Sequence, residues 1–258
     1  MKILPLIIKI PFLKRLVPSL VRRIYMLIGK FNINYNFRGV HLTLDIRDSL
    51  DRKILFNNEY EDQQLSFLYA NIKKFNVTHF IDVGANIGIY SLLIVNKFNN
   101  IQIHSFEPHL GAFRRFKKNI EQNNFGKNIQ VLNQGLSEKK GLMFIEGPKN
   151  FGINQSGGAA LQTKGSNQVD VSTGDAEINI ADKNIAIKID VEGHELKTLM
   201  GFKNIFKSNN IFLQIEIFDE NYDDTINLLN EFNFKLIKKI SYDHNDTTND
   251  YYLSNFKI

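Results

Sequence analysis

The chain is 258 residues long and 43% hydrophobic with 21 Phe, enough for one large α/β domain with an appendage or two small domains. It has no Cys, which excludes disulfides, thiolate metal sites and a cysteine nucleophile and fits a reducing cytoplasm. Of the 32 basic residues seven fall within residues 1–30, where there is no acid, leaving 25 against 27 acidic side chains; the body therefore lacks the basic face a nucleic-acid partner needs.

Residues 1–77 read as an N-terminal extension followed by a pre-domain helix. In the first thirty, apolar clusters alternate with Lys2, Lys9, Lys14, Arg15, Arg22, Arg23 and Lys30. No uncharged run reaches the ~18–20 residues that span a bilayer, and Lys9 with no small-residue cleavage site argues against a signal peptide. Ser19 as N-cap and Gly29 just past the end bound one short helix. That helix either docks on the body or, with its basic neighbours, rests on the inner face of an anionic membrane. Phe31 to Asp45 alternates as a hairpin or edge pair. Tyr60 to Phe75 carries Leu65, Phe67, Leu68, Ile72 and Phe75 at helical spacing.

From residue 78 onward the rhythm is strand–helix–strand, which implies parallel βαβ units and a doubly wound, Rossmann-like sheet. Strands are expected at Thr78–Val83, Ile101–Phe106, Ile129–Leu136, Ile185–Val191 and Ile211–Phe218. Helices are expected near 88–98, 110–123, 193–205 and 222–232, and two last strands (Phe234–Ser241, Tyr251–Phe256) form an antiparallel edge. On the 110–123 helix Arg114, Arg115, Lys117 and Lys118 read as a solvated face. Residues 141–181 break the rhythm with Gly147, Gly152, Gly157, Gly158 and Gly165 among short strand-like pieces such as Leu142–Ile145 and Val169–Ser172, an inserted segment. Asp243-His244-Asn245-Asp246 reads as turn chemistry rather than a metal site.

The first strand runs into Asp82-Val83-Gly84-Ala85-Asn86-Ile87-Gly88. Gly84 allows a sharp turn and close ligand approach, and the helix behind it offers free N–H groups to a carboxylate. A dinucleotide fingerprint wants G-x-G-x-x-G, with a second Gly admitting the pyrophosphate; Asn86 in that place counts against an NAD-dependent oxidoreductase. The second strand ends in Glu107-Pro108, an acid placed to accept hydrogen bonds from two ribose hydroxyls. A nucleoside without phosphates and with a carboxylate tail fits both halves, and S-adenosylmethionine is such a molecule.

Ile81-Asp82-Val83-Gly84-Ala85-Asn86-Ile87-Gly88 resembles the first motif of class I methyltransferases. Together with Phe106-Glu107-Pro108, Leu136 to Gly141 and Ile187-Lys188-Ile189-Asp190-Val191-Glu192-Gly193-His194-Glu195, it resembles the FkbM-type methyltransferase family, in order, from about Thr78 to Lys238. The resemblance implies S-adenosylmethionine-dependent O-methylation of a sugar, surface glycan or other small natural product. It also places the 141–181 segment over the site, with Asn154, Ser156 and Asp175 at acceptor-side positions, although Thr173-Gly174-Asp175 stands where the family has Thr-Leu-Asp. Glu216 matches a Glu on the family's fifth strand.

Asp82, Gly84, Asn86, Gly88 and Glu107 are the cofactor candidates, with Gln134 or Leu136 for adenine. Ligands in open α/β sheets bind at the carboxyl ends of strands, so Asp190, Glu192, His194 and Glu195 are the candidates for chemistry. Lys188, Asp190 and Glu192 share one side of a strand; Asp190 serves the site or pairs with Lys188. His194 suits a general base by intrinsic pKa or caps the turn. No metal-ligand spacing is evident. A degenerate methyltransferase fold acting as a binding module is the non-catalytic alternative; no Asn-Pro-Pro-Tyr-type motif for amine acceptors occurs.

Overall fold

The computed structural model describes residues 13–146, 158–241 and 247–256. Helix α1 (Leu13–Leu27) starts ahead of the expected Ser19 and runs through Pro18, whose ring costs the helix one i→i−4 bond without stopping it. It ends on Gly29 at φ +67, with Lys30 N–H donating to the Tyr25 carbonyl and Gly29 N–H to that of Met26. This is the paired-bond stop that a left-handed residue permits. Val17, Val21 and Tyr25, four residues apart, lean on the core.

Strands β1 (Asn32–Phe37) and β2 (Val40–Asp45) form the expected hairpin. Arg38 and Gly39, at φ +51 and +90, make its two-residue turn. Helix α2 (Ser49–Asn57) was not anticipated; Asp48 caps it by accepting the N–H groups of Leu50 and Asp51. Helix α3 (Asp62–Lys74) follows.

The main sheet is assembled from β3 (His79–Val83), helix α4 (Ile89–Lys97), β4 (Gln102–Phe106), helix α5 (Leu110–Asn123) and β5 (Ile129–Leu132). A four-stranded sheet intervenes: β6 (Gly135–Leu136), β7 (Gly141–Glu146), β8 (Ala160–Gln162) and β9 (Gln168–Ser172), ordered β6-β9-β7-β8. The chain then returns through α6 (Gly174–Glu177), β10 (Asn184–Ile189), α7 (Glu195–Met200), α8 (Lys203–Ser208), β11 (Asn210–Phe218), α9 (Tyr222–Glu231), β12 (Lys235–Ser241) and β13 (Thr248–Ser254). The seven-stranded order is β12-β13-β11-β10-β3-β4-β5, with β13 antiparallel to both neighbours and the other pairings parallel. One face packs the hairpin and α3–α5 around Phe80, Ala186 and Phe212; the other packs α7–α9 around Ile81, Ile187 and Ile215. Strands buried on both faces explain the near-continuous apolar runs.

Two expected elements are divided. The third strand breaks at Asn133, whose amide donates to the carbonyls of Glu107 (2.8 Å) and Pro108 (3.0 Å), and β6 leaves to pair with β9. The 193–205 helix breaks at Gly201, which packs so close to the Ser137 carbonyl oxygen that a Cβ would lie 2.3 Å from it. Arg115 is not solvated either: it pairs with Asp51 and lies 3.9 Å from Asp48, tying α5 to α2.

Candidate active site

The chain winds outward through β4 and β5, then returns to lay β10 on the other side of β3. This reversal opens a crevice at the carboxyl ends of β3 and β10, the place where open α/β sheets bind ligands. The two strand ends nearly touch. Asp190 N–H donates to the Val83 carbonyl at 3.1 Å, and a Cβ on Gly84 (φ +79) would sit 1.8 Å from the Asp190 carbonyl oxygen. Gly88 (φ +82) is glycine because a Cβ would sit 2.0 Å from the Phe116 ring. A Cβ at either position would thus meet protein; Gly84 nevertheless lines the cavity, whereas Gly88 lies outside its lining.

A cavity of about 450 Å³ fills the crevice. On its β4 side, Glu107 accepts the N–H of His109 at Oε1 and the N–H of Asn86 at Oε2, both at 2.7 Å. Burial nevertheless pushes the Glu107 carboxyl up to about 7. Each oxygen keeps a lone pair for a further donor. Asn86, in the left-handed region at φ +51, buries its Oδ1 with no hydrogen-bond partner among the described residues. Leu136 lines the cavity; Gln134 does not.

The opposite wall is acidic around one cation. Lys188 Nζ lies 2.7 Å from Asp190 Oδ2 and 4.7 Å from the Tyr90 ring centre. Burial works against the Lys188 charge, but Asp190, Glu61 and Asp82 outweigh it and hold the ammonium well above its usual range. Burial likewise opposes the Asp190 charge, yet Lys188 and a hydrogen bond from Glu216 keep its carboxyl below the ordinary value. Glu216, crowded by burial and Asp190, rises to about 9 and carries the shared proton at neutral pH. Glu192, at φ +53, is raised by burial and by Asp190. One oxygen from each of Asp190, Glu192 and Glu216 falls within 4.8 Å of the others, so these three could hold a divalent cation. Asp82 accepts the Ser91 hydroxyl at 2.6 Å, which fixes β3 to α4 behind the glycine turn.

Glu61 belongs to this wall and was missed. At φ +39 it precedes α3 and accepts the Tyr90 hydroxyl at 2.5 Å; burial raises it to about 7. In sequence it is one more acid before a helix, and only the fold carries it to Lys188.

Three expected residues stand elsewhere. His194 is not part of the cavity lining; its Nε2 lies 2.9 Å from the Ser137 hydroxyl. Burial and Lys197 lower it to about 4, so it is a neutral packing partner. Asp175 accepts the N–H groups of Asn204 and Ile205 (2.9–3.1 Å), because α8 brings no side-chain cap of its own. Glu195 is buried against the Gly193 N–H at 2.8 Å. Asn154, Ser156 and the 243–246 cluster lie outside the described residues.

S-adenosylmethionine fits what is present. Glu107 retains acceptor capacity for two hydroxyls, Asn86 presents an orphaned buried oxygen, and the acidic wall suits a sulfonium and an ammonium. Comparison with known proteins agrees. The sequence model of the methyltransferase FkbM domain matches residues 82–236. Hexuronic acid methyltransferase AglP of Haloferax volcanii is 33% identical over 138 residues, 53% of this chain and 54% of that protein, so the chain spans about half the length of this relative. Among solved structures, human methyltransferase 10 domain containing protein aligns with TM-score 0.50 at 13% identity, covering 93% of this chain and 98% of that one. The N-terminal domain of human METTL16, in complex with SAH, aligns with TM-score 0.50 at 16% identity, covering 93% and 83%. These two carry the class I methyltransferase fold.

Proposed function

This chain belongs to the FkbM methyltransferase family, and we propose that it is an S-adenosylmethionine-dependent enzyme that methylates a hydroxyl of a sugar, within a surface glycan or another small natural product. The observation that carries this reading is the set Asp190, Glu192 and Glu216 at the cavity wall, with oxygens within 4.8 Å of one another. Glu216 donates and the other two accept, a combination suited to the adjacent hydroxyls of a polyol. The relative named as a hexuronic acid methyltransferase supports a sugar acceptor.

When bound, S-adenosylmethionine supplies a methyl group on a cationic sulfur with a thioether leaving group, so the protein's tasks are alignment and proton removal. Glu107 would receive the ribose hydroxyls on its spare lone pairs. Asn86 Oδ1 would accept from the amino end of the methionine portion, and Asp82 keeps the glycine turn in place through Ser91. Asp190, held ionised by Lys188, orients the acceptor hydroxyl, and Glu192 takes its proton as the oxygen–carbon bond forms. Glu192 suits this better than Asp190, because its raised pKa makes it the stronger base. Alignment can supply about 7–11 kcal/mol of such acceleration, and the base about 10²–10⁴-fold.

Calorimetry of S-adenosylmethionine binding to wild type and Glu107→Ala tests the cofactor placement. Losing two hydrogen bonds to a charged group, each about 1.5–3 kcal/mol, weakens binding at least ~100-fold. Nucleotide sugars and capsule or O-antigen oligosaccharides are then screened with Glu192→Gln alongside. Transfer lost with cofactor binding retained supports the base; unaltered turnover in Glu192→Gln removes it. No binding of the cofactor to folded wild type overturns the whole assignment.

A further inference from the structure

Helix α1 leaves an apolar stripe uncovered. Leu16, Leu20, Ile24, Leu27 and the following Ile28 are between 48% and 87% exposed, although Val17, Val21 and Tyr25 beside them pack on the core. At about 100° per residue, Leu16, Leu20, Ile24 and Leu27 fall in an arc of about 80°, next to a body-facing arc of similar width. Arg22 and Arg23 occupy the remaining side. The helix is therefore apolar over twice the sector that its docking uses.

The charges around the stripe have one sign. No acid occurs before Asp45, while Arg23 borders the stripe, Arg22 lies across the helix from it and Lys30 follows the helix end. Arg52 on α2 faces Arg22 and extends the patch; its Nη1 donates to the carbonyls of Ile46 (3.1 Å) and Arg47 (2.7 Å). Asp45, Asp48 and Asp51 also face Arg52, but Arg47 takes Asp45 and Arg115 takes Asp51 and lies beside Asp48. Leu50 of the same α2 lines the cavity.

We infer that α1 is an interfacial anchor that lays the Leu16–Ile28 stripe into an anionic bilayer, with Arg22, Arg23, Lys30 and Arg52 at the headgroup level. Exposed leucine and isoleucine rimmed by arginine is the composition of helices that lie in a membrane surface, and each arginine near an anionic leaflet adds about 1 kcal/mol. A second copy is the poorer occupant, because stacking two such stripes crowds Arg23, which borders Leu16 around the helix, toward a copy whose first acid is Asp45. Since α2 contributes both to the basic patch and to the cavity wall, the anchor holds that wall close to the lipid headgroups.

The test is co-sedimentation of the full chain with vesicles of phosphatidylcholine alone and of phosphatidylcholine mixed with phosphatidylglycerol. The expected result is pelleting with the mixed vesicles, weakened by salt and abolished by Leu20→Glu with Ile24→Glu. Arg22→Gln with Arg23→Gln should lower the partition coefficient roughly thirty-fold. Melting temperature and S-adenosylmethionine affinity, unchanged in both variants, show that they fold. Wild type left in the supernatant with mixed vesicles overturns the inference. So does a dimer in analytical ultracentrifugation that Leu20→Glu with Ile24→Glu dissociates, which would assign the stripe to a second copy.

Discussion

Gly84→Ala tests whether the site depends on the contact between the β3 and β10 strand ends. The new Cβ would stand 1.8 Å from the Asp190 carbonyl oxygen and 2.9 Å from its carbon. Neither is the movable end of a side chain: both belong to a backbone held to Val83 by a 3.1 Å hydrogen bond. An alanine at positive φ costs roughly 1–2 kcal/mol, and forcing atoms into a packed region adds about 1–3, so the loss should be about 2–5 kcal/mol. Gly193 supplies the matched control. It has φ +96 and flanks the same site, but its Cβ would meet nothing within 4 Å among the described residues, so Gly193→Ala carries only the roughly 1–2 kcal/mol of strain. Urea unfolding followed by circular dichroism measures both, with midpoints compared at unchanged slope. S-adenosylmethionine affinity should also fall in Gly84→Ala, because the turn that presents Asn86 to Glu107 must move. Equal losses in the two variants, within about 0.5 kcal/mol, would mean that the strand ends do not meet as described.

Stability should fall as pH rises. Glu61, Glu107 and Glu195 are raised by burial to about 7, and Glu216 to about 9, all from 4.5. The folded chain therefore holds more protons than the unfolded chain above pH 4.5, and this contribution is lost through pH 7 and then 9. The urea midpoint should be higher at pH 6 than at pH 9, and Glu216→Gln should flatten the upper part of that slope; a midpoint rising across this range would contradict the burial argument. Asp175→Ala should cost about 1–2 kcal/mol by uncapping α8, visible in the melting curve, while leaving the rate of methyl transfer unaltered. His194→Ala should keep turnover within about threefold of wild type, against the 10²–10⁴-fold loss expected of a general base; a loss of that size would return His194 to the site.

Local chemistry made much of this protein legible. The apolar runs of β3, β4, β10 and β11 announce strands buried on both faces, because such a strand has no polar side to alternate with. Gly29 marked the end of α1, since few residues besides glycine enter the left-handed region cheaply. The Asn86 spacing and Glu107 pointed to a nucleoside without phosphates. The pairing of Lys188 with Asp190 was one of the two readings their shared strand face left open.

Contacts between distant segments decided the rest. Gly84 and Gly88 read as openings for a ligand, but the atoms that forbid a side chain there belong to Asp190 and Phe116, which sequence spacing does not bring near. Asp175 and His194 carry residue types suited to a site and instead satisfy a helix end and Ser137, because unpaired N–H groups and buried imidazoles take whatever partner the fold supplies. Glu61 was indistinguishable from a solvated acid until α3 set it beside Tyr90 and Lys188. A side chain's type is written in the chain; the protein it faces, and hence its charge and its task, is set by how β10 returns to lie against β3.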